Sequence, residues 1–182
     1  MHYCCLVFTK TIPDKNKLDE IMNPFNDNKV YFDENGDELE KPNYKSFSWD
    51  WYEVGGRYNA LIKMKLSEDF KFLGERLNKE YLSMVVSGYM KERTYLFEEQ
   101  DCYCALGYRD GYLMVDGCKI KDILNIDDIN GFCLVSDSGD SSSREFYDGK
   151  NFIDTEKQYE QKRAEMLEKY KDGFLTIVDI HD

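Results

Sequence analysis

The chain has 182 residues, a formal net charge of −12, 14 Tyr, 11 Phe and only 3 Pro. A chain this long buries well over half of its unfolded surface, so its core needs no disulfide or structural metal. The aromatic content excludes a disordered chain although one-third of the residues are charged. No apolar run approaches the roughly 18 residues of a membrane helix. Met1-His2-Tyr3-Cys4-Cys5 lacks the basic start of a signal peptide, so a cytosolic protein with no membrane partner is expected.

Tyr3 to Thr9 is short, apolar and rich in strand formers, which predicts an opening buried strand. Pro13 and Asp14 suit a helix start, and Leu18, Ile21, Met22 and Phe25 follow at i, i+3, i+4 and i+7; Pro24 limits that helix. Val30-Tyr31-Phe32, Asn35-Gly36 and Leu39 predict a small acidic hairpin or loop. Asp33 to Glu38 lacks the ligand order of a calcium loop. Ala60 to Leu66 alternates apolar residues with Lys63 and Lys65, as a half-buried strand does. Ser67, Glu68 and Asp69 open a second helix with Phe70, Leu73, Leu77, Tyr81 and Met84 on one face.

Cys102 to Tyr108 and Tyr112 to Val115 flank Arg109-Asp110-Gly111 as a hairpin, and Asp116-Gly117 reads as a further turn. Gly131 to Val135 reads as another buried strand. Asp137 to Ser143 is a polar turn, either a solvated tip or a cation or phosphate site, without the P-loop pattern. Thr155-Glu156-Lys157-Gln158 fits a capping box before a third helix that bears Tyr159, Arg163, Met166, Leu167 and Tyr170 on one face. Gly173 fits its stop, and Leu175 to Ile180 closes the chain as a strand. The expected architecture is α+β: a single domain over residues 1–182, mainly antiparallel sheet with about three helices packed on it.

The six cysteines, Cys4, Cys5, Cys102, Cys104, Cys118 and Cys133, include no Cys-x-x-Cys pair. Buried reduced thiols are expected, with no metal and no cofactor assigned. Strand alternation leaves a metal pair at Cys102 and Cys104 geometrically conceivable. Charge is uneven: residues 14–40 carry −6 and residues 98–154 carry −8, against +3 for residues 41–97. Direct binding to a nucleic-acid backbone favours the opposite overall sign. Acidic stretches suit a protein partner with a basic surface.

Both tryptophans fall in Trp49-Asp50-Trp51-Tyr52-Glu53-Val54-Gly55-Gly56-Arg57-Tyr58. Strand alternation predicts Trp49 and Trp51 on one face and Asp50 on the other. Trp49, Trp51 and Tyr52 could stack on a nucleotide or simply pack a core. Gly55 and Gly56 would let backbone N–H groups approach an anion clamped by Arg57, or Arg57 could pair with Asp50 or stack on a tryptophan. Asp179 and His181 share a strand face, so with Asp50 they form the candidate acid–base group. Asp137 and Asp140 are a third element that the fold could bring to the same place.

This motif, with Val178-Asp179-Ile180-His181 at the other end, resembles a family of bacteriophage and bacterial proteins. The family's pattern is Trp-Asp-Trp-Tyr-x-x-Gly-Gly-Arg-aromatic and a Val-Asp-x-His ending; Lys119-Ile120-Lys121-Asp122-Ile123 also looks like its middle part. Where many relatives have a Gly-Trp-Trp-Gly-like segment before the last helix, this chain has Tyr147-Asp148-Gly149-Lys150. The resemblance carries over no activity. It implies a phage or mobile-element setting in the bacterial host cytosol, where a small acidic accessory protein acts by binding a host factor, such as a defence or nucleic-acid-handling protein. The alternative is a nucleotide- or phosphate-binding protein or hydrolase built on the motif and the Asp-x-His ending.

Overall fold

A computed structural model describes residues 1–28, 30–39, 47–65, 95–97, 102–109 and 112–182, with backbone alone for 31, 39, 65, 95–97 and 102–109. β1 (His2–Thr9) is the apolar opening strand, buried from Cys4 onward. α1 (Lys15–Met22) starts where the Asp14 carboxylate accepts the Lys17 N–H at 2.8 Å, a side-chain N-cap. Its stripe of Leu18, Ile21 and Met22 is buried, and Pro24 turns the chain into a 3₁₀ segment, Asn23–Phe25, that buries Phe25. β2 (Tyr31–Phe32) and β3 (Glu38–Leu39) pair around Asn35-Gly36, with Gly36 at φ 86°.

β4 (Trp51–Val54), β5 (Ile62–Lys65), β6 (Tyr95–Phe97), β7 (Cys102–Arg109) and β8 (Tyr112–Lys119) follow, then β9 (Cys133–Ser136) and β10 (Ser141–Ser143). β11 (Glu145–Tyr147) and β12 (Phe152–Asp154) form a separate two-stranded hairpin. α2 (Glu156–Lys169) and β13 (Phe174–His181) complete the chain. The main sheet runs β10-β9-β1-β13-β8-β7-β6, with β4 added on β13 and β5 on β8.

The expectation of about three helices packed on the sheet is corrected, while every strand pair among the described residues except one is antiparallel. The molecule is mainly β, its sheet is mixed, and two α-helices occur among the described residues. The parallel pair is β1 with β9, joined in register from Cys5↔Cys133 to Phe8↔Ser136. The helix expected from Ser67 onward lies outside the described residues. Asp116-Gly117 is no turn: both residues are inside β8, where Tyr103 faces Gly117 and Cys104 faces Val115, leaving Asp116 unopposed in a bulge.

β1 and β13 divide two apolar clusters. Leu6, Phe8, Leu175 and Ile177 pack with Tyr159, Met166 and Tyr170 of the α2 region. Cys5, Val7, Val178 and Ile180 pack on the other face with Leu18 and Met22 of α1 and with Trp49. The capping box at Thr155 does not form: Asp154 takes the Glu156 N–H at 2.9 Å, while the Thr155 hydroxyl donates to Ser143 O. Gly173 serves close packing, since a Cβ there would lie 2.5 Å from Thr9 O. Cys4, Cys5, Cys118 and Cys133 are free and buried, and burial pushes the thiols of Cys4, Cys118 and Cys133 up. The side chains of Cys102 and Cys104 lie outside the described residues. No helix among the described residues is long and apolar enough to cross a membrane.

Candidate functional site

Antiparallel pairing of β1 with β13 sets His2 opposite His181, and pairing of β13 with β4 sets His181 opposite Trp51. Directly opposed residues point to the same face, so three rings form a row across the sheet end. Trp51 stacks on His181 at 5.4 Å and 13°, and His2 meets both rings edge-on, at 4.9 Å from His181 and 5.5 Å from Trp51. The two histidines are the chain's full complement.

Each imidazole has its own carboxylate. His2 Nδ1 lies 3.0 Å from Asp179 Oδ1, and His181 Nδ1 lies 2.9 Å from Asp50 Oδ1. In a neutral imidazole, a carboxylate accepting at Nδ1 fixes the proton there and leaves the lone pair on Nε2. The His181 contact is also the main reason that the Asp50 carboxyl is held below its usual range, against the opposing effect of desolvation. Asp50 is placed by its own backbone, whose N–H donates to His181 O at 2.9 Å. Trp51 and the Asp50 and His181 side chains remain 42%, 43% and 33% exposed, so this end of the row meets solvent.

The Gly-Gly-Arg turn fills the fork where β4 leaves β13 and β8 joins it. Gly55 N–H donates to Ile177 O at 2.9 Å, the register position between the two pairings. Gly55 adopts φ 71°, ψ −69° and Gly56 φ 52°, both left-handed-side conformations that favour glycine. A Cβ on Gly55 would lie 2.4 Å from Asp116 Oδ2, and one on Gly56 2.4 Å from Asp179 Cβ. Two buried carboxylates therefore occupy the space that side chains would need. Asp179 Oδ2 accepts the Arg57 N–H at 2.8 Å, and Asp116 Oδ1 accepts the Ala60 N–H at 2.7 Å. Asp116 Oδ2 is buried without a hydrogen-bond partner among the described residues, and desolvation, with a smaller push from Glu53, raises this carboxyl to about 7.

α1 and β4 border an open groove of about 770 Å³, lined by residues from both faces of β4. Its lining among the described residues includes the acids Asp19, Asp50 and Glu53, one base, Lys15, and the rings of Trp51 and Tyr52. The Tyr52 hydroxyl donates to Asp19, which ties the helix to the strand. Trp49 closes the inner wall: it is buried, and its indole N–H donates to Met22 O at 3.0 Å.

Comparison with protein families, with curated proteins and with solved structures finds no match.

Several expected site residues are thus redistributed. Trp49 and Trp51 do not share a face, because the bend at Asp50 interrupts the alternation before β4 begins. Asp50 stands beside Trp51 on His181, and Tyr52 goes with Trp49 to the α1 face. Asp179 pairs with His2 across the strands rather than with His181 along its own strand. The anion cradle expected at Gly55, Gly56 and Arg57 exists but is occupied by the protein's own Asp179. The Arg57 side chain is exposed, with no ion-pair partner among the described residues.

Asp137 and Asp140 do not join the site. Asp137 accepts from the Tyr170 hydroxyl at 2.6 Å and from Lys10 N–H, while Asp140 pairs with Lys162 and Lys169, both at 2.7 Å. Lys162 and then Lys169 hold the Asp140 carboxyl well below the usual range. Asp137 N–H bonds to Phe8 O, about 20 Å along β1 from His2. Three residues of the site carried no motif: His2, Asp19 and Asp116. His2 was findable only by pairing the first strand with the last in register.

Proposed function

We propose that this protein works by binding, engaging a basic segment of a protein partner in the acidic groove between α1 and β4. The observation that carries the reading is the lining: three carboxylates against one ammonium among the described residues, with a solvent-exposed tryptophan at its edge. Guanidinium and ammonium groups are attracted both by such carboxylates and by the face of an indole. In the phage-type setting that the motif resemblance implies, the partner is a host factor with a basic surface. The test is fluorescence anisotropy with a fluorescein-labelled peptide of Lys and Arg, titrated against wild type and an Asp50→Lys, Glu53→Lys double variant. Wild type binds, and the variant loses at least about tenfold in affinity. Equal affinity of the two proteins, or no binding to wild type, defeats the reading.

The two imidazole–carboxylate pairs favour a second reading, in which a nucleotide stacks on Trp51, His181 Nε2 accepts a proton and Arg57 meets phosphate. The surrounding acids oppose an anionic ligand, which is why binding of a cationic partner is placed first. A thermal-shift series with mono-, di- and cyclic nucleotides decides between them. A stabilising nucleotide whose turnover falls in His181→Ala would put the second reading first, and no shift with any of them removes it.

A further inference from the structure

The hairpin β11–β12 carries Tyr147 opposite Phe152, and both rings point to solvent, 55% and 71% exposed, with centroids 5.2 Å apart. Two large exposed rings side by side are an unusual expense on a protein with this much charge. They stand at the lip of a concavity of about 280 Å³. Its lining includes Tyr3 and Phe132, which stack at 4.4 Å and 30°, together with Phe146 and Ile180. Small-molecule sites typically enclose about 300–1,000 Å³, so this space suits one large side chain better than a nucleotide.

Position and charge name the occupant. Ile180 lines this concavity and its cross-strand partner Tyr52 lines the acidic groove, so the two linings meet at one pair of neighbouring strands, whose backbones lie about 5 Å apart. Carboxylates border this opening too, at Glu145 and Asp182. The adjacent Arg144 is already committed to Glu156 and Glu160. An aromatic floor with acidic edges, one strand pair away from an acidic groove, complements an apolar residue flanked by cations.

We propose that the aromatic concavity is an anchor pocket, which takes one aromatic or long aliphatic side chain from the basic partner segment. This rests on the groove reading for the flanking cations, and on the pocket alone for the anchor. Two labelled Lys/Arg-rich peptides differing only at a central Phe or Ala are titrated against wild type and a Tyr147→Ser, Phe152→Ser variant. Both substitutions are at exposed positions. Wild type prefers the Phe peptide by about tenfold or more, as burial of one such ring implies. The variant loses that preference and keeps its affinity for the Ala peptide. Equal affinity of wild type for the two peptides, or a preference that survives in the variant, overturns the anchor pocket. N-acetyl-phenylalaninamide, followed by NMR at Phe132 and Phe146, separates the two ideas if neither peptide binds. Shifts at those rings then leave the pocket standing and sink the groove, whereas unmoved rings overturn both.

Discussion

Gly56 has room for a hydrogen and nothing larger, because the Asp179 side chain fills the position of a Cβ. Gly36 has a comparably left-handed backbone, φ 86°, but nothing within 4 Å of its Cβ position. The two positions separate backbone strain from close approach. Gly36→Ala is expected to cost about 1–2 kcal/mol, the strain alone. Gly56→Ala adds displacement of a buried, hydrogen-bonded carboxylate and is expected to cost at least about 3 kcal/mol by urea unfolding. Equal losses at the two sites would contradict the packing account.

Asp116 makes a pH prediction. Its carboxyl is raised from 3.8 to about 7 in the fold, so between those values the native state holds a proton that the unfolded chain has released. Stability is then fully supported below about pH 4 for this group and falls as pH rises toward 7, by up to about 1.4 kcal/mol per unit. Asp116→Asn keeps an oxygen for the Ala60 N–H and is expected to flatten that slope. Parallel pH–stability curves for the two proteins would contradict it.

At the scale of elements, α2 offers a clean test of how its buried face is satisfied. Tyr159 is fully buried, its ring lies 4.4 Å from the Arg144 guanidinium carbon, and its hydroxyl has no hydrogen-bond partner among the described residues. Tyr159→Phe removes an unsatisfied polar atom while keeping the ring, so it is expected to be neutral or stabilising by about 1 kcal/mol. A clear fall in melting temperature would mean that the hydroxyl is bonded in solution. Local pattern was a good guide to such elements. The apolar stripe of α1, the last helix and the first and last strands are all legible because each is set by its own periodicity. What was not legible depends on partners distant in the chain. Asp116-Gly117 looks like a turn until β7, β5 and β13 converge on it, and the Trp49–Trp51 spacing looks like one face until Asp50 bends toward His181. The Gly-Gly-Arg turn was readable as an anion cradle, but its anion is 122 residues away in the chain.

For the whole molecule, the −12 charge is a field before it is a contact. Association with a basic segment is therefore expected to weaken steeply as salt is raised from about 50 mM to about 500 mM, chiefly through a slower on-rate. Unchanged affinity over that range would place apolar contact ahead of charge. Acidity alone does not choose a location, since the exposed Glu34, Asp37 and Glu38 of the small β2–β3 hairpin are also available to a cation. What distinguishes the groove is the conjunction of carboxylates with exposed Trp51 and the tie from Asp19 to Tyr52. The most direct measurement is NMR mapping of the Lys/Arg peptide on the intact ¹⁵N-labelled protein. The Trp51 indole and the amides of Asp19, Asp50 and Glu53 are expected to move together and saturate with one affinity. Shifts confined to residues 33–38, or spread without saturation over the acidic surface, would contradict the groove reading.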